Sequence, residues 1–199
     1  MNFKKNFKKI TALAAVMAMA LSMAACGADN AADNTDTAAE STSAAENAAE
    51  TAEILNFIPP EKGEKIAVMT VKDYGEIKIK LFPEAASKGV ENFIGLADMN
   101  YYDELIFHRV IPHFMDQGGD PQGTGMGGQS MWGGSFDGGI PEGLYHFSGA
   151  IAYANSGSTS TNGSQFYIVN TDEGECVSDV SSYPQNVQDM YKEKGGVPY

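Results

Sequence analysis

The chain has 199 residues, which is enough for one ordinary domain and some accessory segments, and its 43% hydrophobic content is typical of a folded protein. Its 26 acidic residues outnumber 13 basic ones, and this balance argues against a nucleic-acid partner, because phosphate binding needs Lys and Arg. Two cysteines are too few for a disulfide framework.

Residues 1–25 have the plan of a secretory signal peptide. A head with four lysines precedes the apolar stretch 10–23, which is short for a bilayer-spanning helix, and two alanines and Cys26 follow. Residues 21–26 resemble a bacterial lipobox, which implies cleavage before Cys26 and lipidation of its thiol. The alternative is an ordinary signal peptide followed by an incidental cysteine. We expect a cell-membrane protein, lipid-anchored on the extracytoplasmic side.

Residues 26–53 form the next segment. Residues 28–53 are almost entirely Ala, Asp, Asn, Thr, Ser and Glu, without an aromatic or basic residue. Such a segment cannot bury enough apolar surface to offset the entropy lost on ordering. The composition predicts a disordered acidic tether.

The folded domain is predicted to span residues 54–199. Residues 65–71 and 76–81 are typical of two strands joined by a turn at 72–75, which predicts a hairpin. Pro83 is expected to begin a helix near residues 85–98, which carries one apolar stripe. Further strands are predicted at 105–111, 148–154 and 165–169. Because few strands alternate with helices, we expect a mainly β protein with a closed antiparallel architecture.

Residues 107–121 are the most informative stretch. In an extended segment Arg109, Ile111 and His113 share one side, until Pro112 disturbs the register. An aromatic ring, a thioether and an amide follow: Phe114, Met115 and Gln117. Together these groups favour a half-apolar cleft suited to a peptide. A buried strand with a salt-bridged arginine is the alternative that these residues leave open.

The order of residues in this stretch, Phe-His-Arg-Val-Ile-Pro-x-Phe-Met-x-Gln-Gly-Gly-Asp, closely resembles the cyclophilin signature. Residues 149–155 and 162–168 resemble later blocks of that family, and the similarity runs from about residue 64 to residue 170. The resemblance implies a cyclophilin-like antiparallel β-barrel with a capping helix. It also implies peptidyl-prolyl cis/trans isomerase activity without a cofactor.

The resemblance also implies which residues bind and act on the substrate. Arg109 matches the catalytic arginine of the family. The positions that match its substrate-binding residues are Phe114, Met115, Gln117, Ala154, Asn155, Gln165 and Tyr167. Tyr167 stands where a phenylalanine is commoner, and its added hydroxyl changes the polarity of the expected proline pocket.

Other motifs give weaker signals. Residues 123–128 formally satisfy a dinucleotide-binding pattern, but no helix is predicted after them, so we interpret the match as false. The three histidines lack the partner spacing of a zinc site, and Cys176 stands alone. We interpret His108, His113, His146 and Cys176 as structural and expect no metal.

The C-terminal part departs from the expected pattern. Cyclophilins continue with further pocket residues and strands, whereas here a polar insertion at 172–194 leads to Gly-Gly-Val-Pro-Tyr. We expect an incomplete barrel with residues 172–199 packed loosely or not at all. A complete but shortened family member is the alternative.

Two functions remain open at this point. The first is a monomeric isomerase that assists the folding of exported proteins and binds proline-containing peptides. The second is a non-catalytic, peptide-binding or chaperone-like surface lipoprotein.

Overall fold

The computed structural model describes residues 51–198. The expected signal peptide, Cys26 and most of the expected tether lie outside the described residues, and these expectations stay predictions. In chain order the elements are β1 (Ile66–Val71), β2 (Gly75–Lys80), α1 (Ser87–Asp98), β3 (Arg109–Ile111), β4 (Met115–Gly118), β5 (Ile151–Tyr153), a 3₁₀ turn (Thr159–Thr161), β6 (Phe166–Val169) and α2 (Gln185–Lys194). Neither α1 nor α2, the helices between residues 51 and 198, is long and apolar enough to cross a membrane.

The predicted N-terminal hairpin is confirmed. Strands β1 and β2 pair antiparallel, with Ile66 opposite Lys80 and Val71 opposite Gly75. Alternate β1 residues Ala67 and Met69 are buried, as the period of two in a strand requires. They join the main core, whose buried members are Ala67, Met69, Ile79, Phe93, Leu96, Ala97, Tyr102 and Phe166.

Helix α1 begins at Ser87, four residues after Pro83. The segment from Pro83 forms a separate turn, in which the Ala86 N–H donates to the Phe82 carbonyl at 2.9 Å. Because Ala86 has φ −129° and ψ 52°, it is not helical and the helix starts at the next residue. The predicted apolar stripe packs into the core through Phe93 and Ala97.

The remaining strands form a second antiparallel sheet in the order β3-β4-β6-β5. Strands β3 and β5 have three residues each and are shorter than the predicted 105–111 and 148–154. The described strands therefore form two open sheets, and the expected closed barrel is not confirmed. That the chain lacks final strands stays a prediction.

The expectation that residues 172–199 pack loosely or not at all is wrong for the described part, which ends at Pro198. Helix α2 buries Val187 and Tyr191 completely against Phe147. These two residues are four apart and share one face of the helix. The following strand-like segment also pairs with the domain, since the Val197 N–H donates to the His146 carbonyl at 2.8 Å.

Candidate active site

Strands β3 and β4 form a tight hairpin that carries the predicted arginine. Its turn places His113 in the left-handed region, with φ 60°, and the Phe114 N–H donates to the Ile111 carbonyl at 3.2 Å. The amide of Asn170 holds the turn, because its Oδ1 accepts from the Phe114 N–H at 2.8 Å and its Nδ2 donates to Asp116 at 2.8 Å. The position of Phe114 is thereby fixed by the chain that follows β6.

One face of the four-stranded sheet carries most of the predicted site residues. Directly paired residues share a face, and Arg109 is paired with Gln117, which is paired with Tyr167. Met115 lies two residues before Gln117 and therefore points to the same side. The opposite face carries Phe166, which packs with α1 in the main core. The predicted site therefore faces away from α1.

A chain of side-chain hydrogen bonds orients the arginine. The Arg109 guanidinium donates to Gln117 Oε1 at 3.3 Å, and Gln117 Nε2 donates to Gln165 Oε1 at 2.8 Å. Gln165 Nε2 in turn donates to the carbonyls of Gly127 at 2.7 Å and Gly125 at 3.0 Å. These bonds hold the guanidinium in place. Because Arg109 is exposed, the guanidinium also remains accessible to a bound peptide.

The loop that supplies those two carbonyls is organised by Asp120, a residue that the sequence analysis did not place in the site. Asp120 is 1% exposed. It accepts hydrogen bonds from the backbone N–H groups of Gln122 (2.8 Å), Thr124 (3.0 Å), Gly125 (2.7 Å) and Gly127 (3.2 Å). Burial alone raises the pKa of Asp120, but these four donors outweigh it and lower the pKa to about 2. The loop is therefore built around a buried negative charge.

The loop also fits closely against the strand that carries Gln165. Gly119 has φ 83°, and a Cβ there would lie 2.5 Å from the Ser164 carbonyl oxygen, so a larger residue would displace the loop. The Ser164 hydroxyl donates to the Gly119 carbonyl at 2.6 Å. These contacts explain why a glycine stands directly before Asp120.

The predicted apolar contacts differ in accessibility. Phe114 and Tyr167 are half-buried, whereas Met115 is 3% exposed and forms the floor of this face. The Tyr167 ring lies against His146, with ring centroids 5.9 Å apart. Burial lowers the pKa of His146, which favours its neutral imidazole. From the sequence His146 is interpreted as structural, and nothing in the sequence predicts its contact with Tyr167.

The last two predicted residues follow β5. The Ala154 N–H donates to the Gln165 carbonyl at 3.0 Å, which brings this segment beside the hydrogen-bond chain of Arg109. Asn155 is exposed, and its side-chain oxygen accepts from the Gly157 N–H at 3.0 Å. Its side chain thus shapes the loop 155–161.

A sequence model of the family described as cyclophilin type peptidyl-prolyl cis-trans isomerase/CLD matches residues 66–181. A protein of Staphylococcus aureus (strain USA300), named as a peptidyl-prolyl cis-trans isomerase, is 46% identical over 143 residues, which cover 70% of this chain and 72% of that protein. Residues 66–181, which match the family model, contain Arg109 and every predicted substrate-binding residue.

Two further proteins are similar over part of their length. A Streptococcus pyogenes serotype M6 protein, named as a bifunctional phosphatase/peptidyl-prolyl cis-trans isomerase, is 45% identical over 140 residues. The match covers 69% of this chain but only 29% of that protein. A Cryptosporidium parvum cyclophilin type isomerase, crystallised in the presence of the dipeptide Ala-Pro, is 36% identical with a TM-score of 0.48, and the match covers 61% of this chain and 69% of that one.

Proposed function

This chain belongs to the cyclophilin-type peptidyl-prolyl cis/trans isomerase family, and we propose that it isomerises X–Pro bonds in exported proteins at the outer side of the membrane. Family membership and the relatives named as isomerases support the activity. The signal-like N-terminus motivates the location. The single observation that carries the catalytic part is the chain of hydrogen bonds that holds the exposed Arg109.

The reaction needs no bond to break. Resonance gives the X–Pro amide partial double-bond character and a rotational barrier of about 20 kcal/mol. Twisting the bond removes the resonance, and the proline nitrogen then becomes a better hydrogen-bond acceptor. A guanidinium that donates to this nitrogen stabilises the twisted state more than either planar isomer, which is how binding energy becomes catalysis. A thousandfold acceleration requires about 4 kcal/mol.

The proposed roles follow the layout of the sheet face. Arg109 donates to the twisted nitrogen, and Gln117 both orients Arg109 and lies beside the bound peptide. Phe114, Met115 and Tyr167 would contact the pyrrolidine ring. Ala154, Asn155 and Gln165 would hold the flanking peptide, as β5 and the start of β6 are joined at this end. We propose a monomer whose partners are proline-containing peptides and unfolded exported proteins.

The decisive experiment compares turnover with binding in the full chain. Arg109 is the only arginine in the sequence, so Arg109→Ala removes the only guanidinium. We expect isomerisation of a proline peptide to fall at least about 100-fold, or about 2.7 kcal/mol of transition-state stabilisation. Titration with the same peptide should show largely unchanged affinity, because the apolar contacts and amides remain.

Two further variants sharpen this test. Arg109→Lys keeps the charge but loses the planar fork of donors, so it should recover only part of the activity. Lys72→Ala removes an exposed cation in the β1–β2 turn and should leave turnover unchanged. Equal losses of turnover and affinity in Arg109→Ala would show uniform binding. Unchanged turnover would favour a non-catalytic peptide-binding module.

A further inference from the structure

One histidine and two carboxylates converge beside the turn between β3 and β4, outside the sheet face that carries the candidate active site. His113 Nδ1 lies 2.9 Å from Glu175 Oε2 and 3.1 Å from Asp172 Oδ2. The three atoms all lie within 4.8 Å of one another. Between residues 51 and 198, this is the one group of three or more His, Cys, Asp or Glu side chains with such an arrangement.

These separations are close to those between two ligands of one metal ion. Donor atoms that each lie about 2.1 Å from a metal are about 3.0 Å apart at right angles and about 3.4 Å apart at the tetrahedral angle that Zn²⁺ prefers. The observed 2.9 and 3.1 Å are close to these values, so a small movement of the exposed side chains would accommodate an ion. An ion pair alone explains the cluster less well. His113 Nδ1 carries at most one proton, so it can donate a full hydrogen bond to only one carboxylate, and the second carboxylate lies near the same atom against the repulsion of the first. A cation between the three atoms removes this conflict.

We propose that His113, Asp172 and Glu175 bind a divalent first-row transition metal of the Zn²⁺ class. One imidazole and two carboxylates match the ligands that Zn²⁺ accepts, whereas Ca²⁺ takes an all-oxygen set. All three residues are exposed, so water completes the coordination and the metal exchanges with solvent. The strongly acidic chain, with a formal charge of −13, raises the local concentration of cations.

The metal would join two segments that are 59 residues apart in the sequence. His113 stands directly before Phe114 in the β3–β4 turn, and Asp172 and Glu175 follow β6. The Glu175 carbonyl accepts from the Gly196 N–H at 2.9 Å, so this segment is already tied to the C-terminal part. Metal binding would therefore stabilise the folded chain and brace the turn that presents Phe114. This inference does not depend on the proposed isomerase activity.

The test is metal titration of the full chain, followed by calorimetry and thermal unfolding. We expect saturable one-to-one binding of Zn²⁺ with a rise in Tm, weaker binding of Mn²⁺, and no shift with Ca²⁺. His113→Asn and the double variant Asp172→Asn/Glu175→Gln should each weaken Zn²⁺ binding at least tenfold. Asparagine is chosen for His113 because it tolerates the left-handed conformation of that residue.

Matched controls separate this site from other ligands. Asp73→Asn makes the same residue at another left-handed turn position, φ 66°, and Glu173→Gln removes a carboxylate between the two proposed ligands. Cys176→Ser removes a neighbouring thiol. All three should bind Zn²⁺ like the original chain. Unweakened binding in the double variant would assign the metal to other groups, such as the acidic residues 28–53, and overturn the proposal. Absence of saturable Zn²⁺ binding would show that the cluster is only an ion pair, and it would also overturn the proposal.

Discussion

The carboxylate of Asp120 is connected to Arg109 through the glycine-rich loop and two amides. Asp120 fixes the loop, the loop carbonyls fix Gln165, and Gln165 fixes Gln117, which accepts from Arg109. Each glutamine uses its amide oxygen toward one neighbour and its amide nitrogen toward the next. A change at Asp120 should therefore reach Arg109 through the loop and the two glutamines, rather than by direct contact. We regard Asp120 as a positioning residue.

We predict that Asp120→Asn destabilises the protein by about 1–3 kcal/mol, because one carboxylate oxygen is replaced by a donor that faces backbone N–H groups. It should also lower kcat for a proline peptide more than it raises KM. Urea unfolding and steady-state kinetics measure the two effects. Asp137→Asn is the matched control, since Asp137 is an exposed loop carboxylate that accepts from the Gly139 N–H, and its loss should matter much less.

The pH dependence of this contribution has a definite sign. The pKa of Asp120 is about 2 in the folded protein and lies below its ordinary value of 3.8. A lowered pKa stabilises the fold above the unfolded value and loses that effect as the pH falls from 3.8 toward 2. The stability gap between the original chain and Asp120→Asn should therefore shrink in that window. A gap that is constant from pH 7 to pH 3 would contradict the assignment.

The sequence predicts the functional groups that lie close together along the chain, but not those brought together by distant contacts. Arg109 and Gln117 stand eight residues apart within one hairpin, so their proximity follows from the strand pattern. His146 contacts Tyr167 on β6, and His113 contacts Glu175 in the segment after β6. Both contacts depend on the tertiary fold. No spacing rule within the sequence predicts such pairs, because the ligands or rings are more than 20 residues apart.

At the scale of elements, strongly periodic segments were predicted well and segments without a familiar pattern were not. The β1–β2 hairpin and α1 have clear periods of 2 and 3.6 residues. Helix α2 has few apolar residues, and its polar surface led to the expectation of a loose insertion. Two well-placed residues, Val187 and Tyr191, are nevertheless sufficient to anchor it on Phe147.

We predict that Val187→Ala lowers the free energy of unfolding by about 2–3 kcal/mol, because it removes buried methyl groups and leaves a cavity beside Phe147 and Tyr191. Chemical denaturation of the full chain measures this loss. Glu193→Ala lies on the exposed side of the same helix and should change stability little. Equal, negligible effects of both variants would restore the expectation that this segment packs loosely.

For the molecule as a whole, the point at which the chain enters the fold is well defined. The Asn186 side chain of α2 accepts from the Ala52 N–H at 3.2 Å and donates to the Ala52 carbonyl at 2.7 Å. The Asn56 amide makes the same pair of bonds with the backbone of Tyr145, at 2.8 and 2.9 Å. The expected tether therefore reaches the domain beside α2, which fixes where an N-terminal anchor would pull.

We predict that Cys26 carries acyl chains that anchor the protein to the membrane. A chain with a formal charge of −13 is repelled by anionic lipid headgroups, so stable membrane attachment needs an apolar anchor. Two or more acyl chains on one cysteine supply it, and such binding resists high salt. Cells expressing the full chain should therefore retain it in salt-washed membranes, and mass spectrometry should show a diacyl-modified N-terminal cysteine. Cys26→Ser should release the protein, whereas Cys176→Ser, which lies in the folded domain, should not. Recovery of soluble protein that begins at another residue would contradict lipidation and leave an ordinary signal peptide as the explanation.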